Sequence, residues 1–325
     1  MSRVYVLHEN DSWVQPLRAA FEAQGTPYIE WFLDEGMVDF ASAPPEGVFY
    51  NRMSASSYTR DHRYGPEYAA IVLSWLERHG RRVVNDTRAL RLEISKAAQY
   101  PALESFGIRT PRSIAAVGRK AIAAAANRFD GPVILKPNRG GKGHGVQLFA
   151  SPEALKAHVA SDAFELPVDG VSLLQEYIKA PQPFITRAEF IGGRFFYAVR
   201  VNTEQGFELC PADQCAVGDA FCPAGETAAP APRFQIIDRI DAGLRRRYEA
   251  FLAANGIGIA GIEFITDASG TIYTYDVNTN TNYNPEAEAR DGRSGMRAIA
   301  RYLDDELVRL YSAPDVSALA VAAAV

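Results

Sequence analysis

Two carboxylates and an amide within residues 259–284 have the types and spacing to hold a hard divalent cation. Apolar, β-branched and aromatic runs flank Asp267-Ala-Ser-Gly270, which reads as two strands joined by a tight turn. With the turn centred on Ala268 and Ser269, Glu263 faces Thr274. Asp276 then lies one diagonal step away on the same face, at roughly 7 Å. Asn278 shares that face because side chains alternate along a strand. An oxygen-only cluster of this kind suits Mg2+, which takes one or two carboxylates and completes its shell with water and substrate phosphates. An ordinary hairpin with exposed polar residues is the plainer alternative for this segment taken alone.

A second constellation lies at residues 132–149. An apolar strand carries Lys136 near its end and runs into Asn138-Arg-Gly-Gly-Lys-Gly-His-Gly145, after which a strand resumes. Neither a P-loop nor a dinucleotide fingerprint fits, because both need a helix after the glycines. A hairpin tip with Gly140, Gly141 and Gly143 beside Arg139, Lys142 and His144 can still fold over phosphates. Glycine lets backbone N–H groups approach an anion closely, and the basic side chains favour it. Such a loop is suited to act as a lid; a flexible solvated turn is the alternative.

The elements that must position these groups alternate in type. Strands at residues 3–7, 28–33, 47–50 and 82–85 alternate with helices, one opened by a capping box at Ser12 and Gln15 and one started by Pro66. That pattern indicates a small parallel α/β unit. Its first turn, His8-Glu-Asn-Asp11, is acidic and unsuited to phosphate. A helical stretch capped at Asp86 runs through Lys96 to Phe106, and a strand at 171–178 contains Gln175, Glu176, Tyr177 and Ile178. A hairpin turned at Gly192-Gly193 carries Arg187 and Arg200. Residues 203–235 read as a long Pro-, Gly- and Ala-rich loop, followed by a helix capped at Asp241, the central hairpin and a final amphipathic helix over 296–311.

The chain has 325 residues, 47% hydrophobic and 22% charged, with a net charge of −5. These values describe a globular protein with room for two or three domains. They give no whole-chain attraction to nucleic acid or anionic membrane. No apolar run reaches membrane-spanning length, and the N-terminus turns polar too early for a signal peptide, so a cytoplasmic location is expected. Cys210, Cys215 and Cys222 match no common zinc spacing and are read as reduced thiols.

Taken in order, Ser95-Lys96, the Val133–Lys136 strand with its glycine loop, Leu174-Gln-Glu-Tyr-Ile178, Gly261-Ile-Glu263 and Tyr275-Asp-Val-Asn278 resemble the ATP-grasp superfamily. The set is most similar to the RimK-like and glutathione-synthetase-like carboxylate–amine ligases. The resemblance implies an α/β fold with α+β lobes: a pre-ATP-grasp α/β domain (1–90), a central lobe (91–178) with the glycine-rich loop 138–145, and a C-terminal lobe (179–325) with the Mg site. It implies an enzyme that forms an amide or peptide bond through an acylphosphate and releases ADP and phosphate. An ATP-grasp phosphotransferase, a ligase with a non-amine acceptor and a non-catalytic ATP-binding module remain alternatives. By resemblance, Lys96, Lys136 and the loop residues Gly140, Gly141, Lys142 and Gly143 contact ATP phosphates. Gln175 and main-chain groups around Glu176, Tyr177 and Ile178 hold the adenine, and Glu263, Asp276 and Asn278 hold two Mg2+, with Mn2+ an alternative ion. Arg200, with Lys136, is placed at the transferred phosphoryl group. The position two before Arg187 is often acidic in such ligases and here is Ile185. Residues 279–284 replace the usual small-residue, Pro and Gly run beside the acceptor, so Asn280, Asn282 and Arg187 are substrate candidates. Arg52 is a candidate anchor for a substrate carboxylate because its guanidinium offers bidentate bonding. Small carboxylate and amine substrates, an amino acid or peptide among them, are the expected partners; homo-oligomers occur among such ligases.

Overall fold

The computed structural model describes residues 2–141, 143–203 and 233–312. Lys142 and the three cysteines lie outside the described residues.

Four strands, β1 (Arg3–His8), β2 (Tyr28–Phe32), β3 (Gly47–Asn51) and β4 (Arg82–Val84), form a parallel sheet in the order β2-β1-β3-β4. Alternation along β1 decides what covers each face. Val4 and Val6 point toward α1 (Asp11–Gln24) and α9 (Gly295–Ser312), whereas Tyr5 and Leu7 point toward α2 (Gly65–Arg78). The last helix of the chain therefore completes the first sheet, with Ile299 and Leu303 fully buried against it. Asn10, rather than Ser12, caps α1, its side chain accepting from Trp13 N at 3.2 Å.

The helical stretch expected from Asp86 to Phe106 is two helices, α3 (Thr87–Glu93) and α4 (Lys96–Glu104). Ser95 breaks them by taking extended backbone and accepting from Ala98 N, so it is an N-cap and Lys96 is the first residue of a new helix. The domain boundary expected at residue 90 falls inside α3, whose Ala89 and Leu92 share a core with Tyr100 and the third sheet.

The second sheet is antiparallel, in the order β5-β8-β6-β7: β5 (Ser113–Val117), β8 (Val171–Glu176), β6 (Val133–Pro137) and β7 (Gln147–Phe149). Helices α5 (Arg119–Ala126) and α6 (Pro152–Ala160) bury its outer face through Ile122, Leu155 and Val159. The third sheet runs β11-β10-β9-β12-β13: β11 (Phe234–Ile237), β10 (Arg194–Asn202), β9 (Phe184–Ile191), β12 (Ile259–Thr266) and β13 (Ile272–Asn278). Helix α7 (Ala242–Ala254) covers one face through Tyr248, Phe251 and Leu252, and the short α8 (Pro285–Asp291) follows β13. No described helix is long and apolar enough to cross a membrane.

Candidate active site

The opposite face of the third sheet, the inner side of the second sheet and the rim of the first enclose a cavity of about 560 Å³. Its metal-type corner rests on the register of β12 and β13. Phe264 pairs with Thr274, but the register then slips, and Glu263 pairs with Asp276 and Gly261 with Asn278. The expected Glu263–Thr274 pairing is thus corrected by two steps, one from a turn centred on Ser269 and one from a bulge at Tyr275. A bulge adds one residue to a strand and re-aims its side chains. The two carboxylates become direct cross-strand neighbours instead of diagonal ones.

Both carboxylates carry a cation. Lys96 Nζ donates to Asp276 Oδ1 at 2.9 Å and to Gly140 O at 3.1 Å. Arg187 donates to Glu263 Oε1 at 3.2 Å and to Glu189 Oε1 at 2.7 Å. Burial works against the Lys96 charge, but Asp276 beside it more than offsets this and holds the ammonium above its ordinary range. Burial raises the Glu263 carboxyl, opposed by Arg187. Arg187 lies flat across β12 only because residue 261 is glycine; a Cβ there would meet Arg187 Nε at 2.5 Å.

Asn138 joins this corner to the glycine loop. Its side-chain oxygen accepts from Ala97 N at 2.8 Å and from Ser95 Oγ at 3.2 Å, pinning the start of α4 to the end of β6. The loop leans on the first unit: Arg139 donates to Glu67 at 2.7 Å and to Arg63 O at 3.0 Å, and a Cβ on Gly140 would stand 3.5 Å from the Tyr58 hydroxyl. Lys136 is buried over the rings of Tyr100 and Tyr275 at 5.5 and 5.8 Å, with no ion pair among the described residues. Burial, with Lys96 nearby, pushes its pKa down to about 7.

At the other end the lining is apolar: Ile134, Val146, Tyr177, Ile178, Ile185 and Ile265. Gln175 also reaches the cavity, and its Oε1 accepts from the Tyr100 hydroxyl at 2.9 Å. A slot with apolar walls and an edge of backbone suits a planar heterocycle.

Of the sequence-derived candidates, Lys96, Lys136, Gly140, Gly141, Gly143, Gln175, Tyr177, Ile178, Arg187, Glu263, Asp276, Asn278, Asn280 and Asn282 all line this cavity. Three others do not. The Glu176 side chain turns to the outside and accepts from Arg112 N at 2.6 Å. Arg52 is 1% exposed and donates to Asn282 Oδ1 at 2.9 Å and Thr281 O at 3.3 Å, so its guanidinium sits behind the wall. Arg200 pairs with Thr186 and therefore shares the sheet face opposite to Arg187. It lies over Phe184 and lines a separate hollow.

Glu93 and Glu189 were not singled out from sequence. Glu93 lines the cavity and accepts from Thr279 N at 2.6 Å and Ala55 N at 3.2 Å. Glu189 accepts from Arg187 and from Thr281 Oγ1 at 2.8 Å. Their signal was the alternation Asn-Thr-Asn-Thr-Asn from Asn278 to Asn282, which demands inward partners for the threonines.

The donor set fits Mg2+. Two opposed carboxylates stand with the Asn278 amide, and Asn280 Oδ1 is a buried oxygen with no hydrogen-bond partner. Among the described residues no three His, Cys, Asp or Glu side chains gather as a metal site, which leaves a two-carboxylate ion completed by water and phosphate as the matching type.

No protein-family model matches the chain, and no curated protein matches it. Solved structures do. A RimK domain protein ATP-grasp from Sphaerobacter thermophilus aligns over 92% of this chain and 99% of its own, with a TM-score of 0.61 at 20% identity. The ATP-grasp ligase PsnB, complexed with minimal precursor, Mg and ADP, aligns over 92% and 96%, with a TM-score of 0.61 at 18% identity. D-alanyl-alanine synthetase A from Vibrio cholerae aligns over 94% and 99%, with a TM-score of 0.61 at 12% identity. The chain has the ATP-grasp fold.

Proposed function

We propose that the protein is an ATP- and Mg2+-dependent ligase that joins a carboxylate to an amine through an acylphosphate. One observation carries the reading: Lys96 bridges Asp276 and the glycine-loop carbonyl Gly140 O, directly beside the opposed pair Glu263 and Asp276. A cation that ties a metal-type carboxylate to a glycine loop stands where a polyphosphate would meet both. The fold supports this reading, and PsnB and the D-alanyl-alanine synthetase are ligases of the same fold.

The apolar slot at Ile185 and Ile265 would take the adenine, with the Tyr177–Ile178 backbone at its edge. Lys96 and Lys136 would neutralise the phosphates. Glu263, Asp276 and Asn278 would hold Mg2+, which supplies charge neutralisation on the β- and γ-phosphates. A carboxylate oxygen then attacks the γ-phosphorus and ADP leaves. The amine attacks the acyl carbon, and phosphate leaves with one former carboxylate oxygen. Arg187, held between Glu189 and Glu263, is a fixed cation on this face of the sheet and takes the place beside the transferring group that the resemblance implies for Arg200. Closure of the glycine loop would exclude water from an intermediate that hydrolyses readily.

Phosphate release from Mg-ATP, measured over carboxylates and amines offered singly and in pairs, tests the proposal. Release that needs both partners, with equimolar ADP, is expected. Phosphorylation of a single partner without condensation would contradict it.

A further inference from the structure

One wall of the cavity is built from five consecutive residues, Asn278-Thr279-Asn280-Thr281-Asn282, which leave the end of β13 through a bend at Thr279 and Asn280. The threonines turn inward, at 1% and 0% exposure, and the three asparagines line the cavity. The protein fixes this run at nearly every residue. Thr279 donates through N–H and hydroxyl to Glu93, and its carbonyl accepts from Asn85 at 2.9 Å. The Thr281 hydroxyl donates to Glu189 and accepts from Arg187 at 2.6 Å, while its carbonyl accepts from Arg52. A segment held this firmly keeps its cavity-facing side chains fixed, which lowers the cost of ordering them on binding.

The three asparagines are left with hydrogen-bonding capacity and no charge. Asn280 Oδ1 and Asn278 Nδ2 are buried without partners, an arrangement that is costly unless something else satisfies them. Asn282 gives its oxygen to Arg52, which leaves its NH2 group as donor. Glu93 also bonds Ala55 N and so brings Ser54 and Ser56, both cavity-lining hydroxyls, beside the asparagines. Among the described residues the cations touching this wall are committed: Arg52 to Asn282 and Thr281, Arg187 to two glutamates and Thr281, Lys96 to Asp276 and Gly140. Lys136 stands over Tyr100 and Tyr275 and is assigned to phosphate above. Among the described residues that bond this wall, no cation is left uncommitted, and a second ionised carboxylate on the substrate would face Glu93.

We propose that Asn280 and Asn282, with Ser54 and Ser56, form a subsite for an uncharged amide group, so that the substrate bound there is a peptide or carboxamide and not a free amino acid with an ionised α-carboxylate. Side-chain amides offer a donor and an acceptor in the pairing that a peptide unit presents in return. This rests on the ligase reading for the subsite's purpose, and on the geometry alone for its chemistry.

The test is calorimetric binding of the twenty amino acid amides and the twenty free amino acids to the full chain, loaded with Mg2+ and a non-hydrolysable ATP analogue. At least one amide is expected to bind tenfold or more tightly than its own free acid. Asn280→Asp, nearly isosteric but charged, still accepts from an amide N–H and repels a carboxylate, so it is expected to widen that margin while nucleotide affinity stays unchanged. Free acids bound as tightly as their amides, a margin unaltered in Asn280→Asp, or no binding by any amide would overturn the proposal. The same pairs are then followed by phosphate release. An amide preference in binding without any condensation would sink the ligase reading and leave the subsite standing; condensation of free acids with no amide preference would do the reverse.

Discussion

Glu263 and Asp276 are direct cross-strand partners because β13 carries one extra residue at Tyr275. Without the bulge they would sit a step apart, and Lys96 could not bond Asp276 while also holding Gly140 O. Asp276→Asn and Glu263→Gln should each lower phosphate release by roughly 100-fold or more, the scale of a lost contact to developing phosphoryl charge. Added Mg2+ should restore part of the rate only if these groups bind the ion. Variants with wild-type turnover would remove both residues from the metal site.

Lys136 offers a pH dependence of defined sign. Its pKa is about 7 against an ordinary 10.5, first because it is buried and then because Lys96 is near. Between those values the unfolded chain binds more protons than the folded one, so this group makes stability rise with pH across that window. Below pH 7 both states are charged and the cost of the buried ammonium is felt in full. Lys136→Met should therefore raise the Tm of the nucleotide-free protein at pH 6 by about 2 °C or more, with the gain shrinking toward pH 10, while ATP binding is lost. A Tm that falls at pH 6 would contradict the assignment.

Arg139 and Glu67 anchor the glycine loop unequally. Arg139 is buried and also bonds Arg63 O, whereas the Glu67 side chain is half exposed. An exposed partner contributes about 0.5 kcal/mol, so Glu67→Gln should change the KM for ATP by less than about threefold. Arg139→Ala removes the buried anchor as well and should raise that KM by about tenfold or more, a loss of roughly 1.4 kcal/mol in nucleotide binding. Equal effects of the two variants would show that the ion pair alone sets the loop.

Arg52 separates a structural from a substrate role. Its guanidinium holds Asn282 and Thr281 from behind the wall. Arg52→Lys loses the forked donor geometry and should lower stability by about 1–3 kcal/mol, measured by denaturant unfolding. A raised KM for the carboxylate substrate with unaltered stability would place the side chain in the cavity after all.

Register decides where Arg200, placed by resemblance, and Glu263, placed by turn geometry, come to lie. A simple turn at Gly192-Gly193 would put Arg200 on the face of Arg187, and a simple turn at Ala268-Ser269 puts Thr274 opposite Glu263. The bulge between Phe195 and Tyr197 shifts the first register by one, which exchanges the faces of the strand beyond it; the second register moves by two, one step because the turn centres on Ser269 and one at the Tyr275 bulge, so Asp276 keeps its expected face. Nothing in local composition marks either bulge. The Lys136 strand, the glycine loop and the Glu263 hairpin were legible because each is local and periodic. Arg52 was not, since its partners Thr281 and Asn282 lie more than two hundred residues away. Glu93 and Glu189 could be found only once the threonines they hold were seen to face inward.

The central claim is that a carboxylate takes the γ-phosphoryl group before the amine attacks. It is tested most directly with a substrate whose carboxylate carries 18O, identified from the paired panel and turned over with Mg-ATP and its amine. The phosphate released is then analysed by mass. One 18O atom per phosphate is the result predicted, because the acylphosphate bridge oxygen comes from the carboxylate and departs with phosphorus. Phosphate free of label, formed in step with product, would show that the carboxylate is never phosphorylated and would contradict the account.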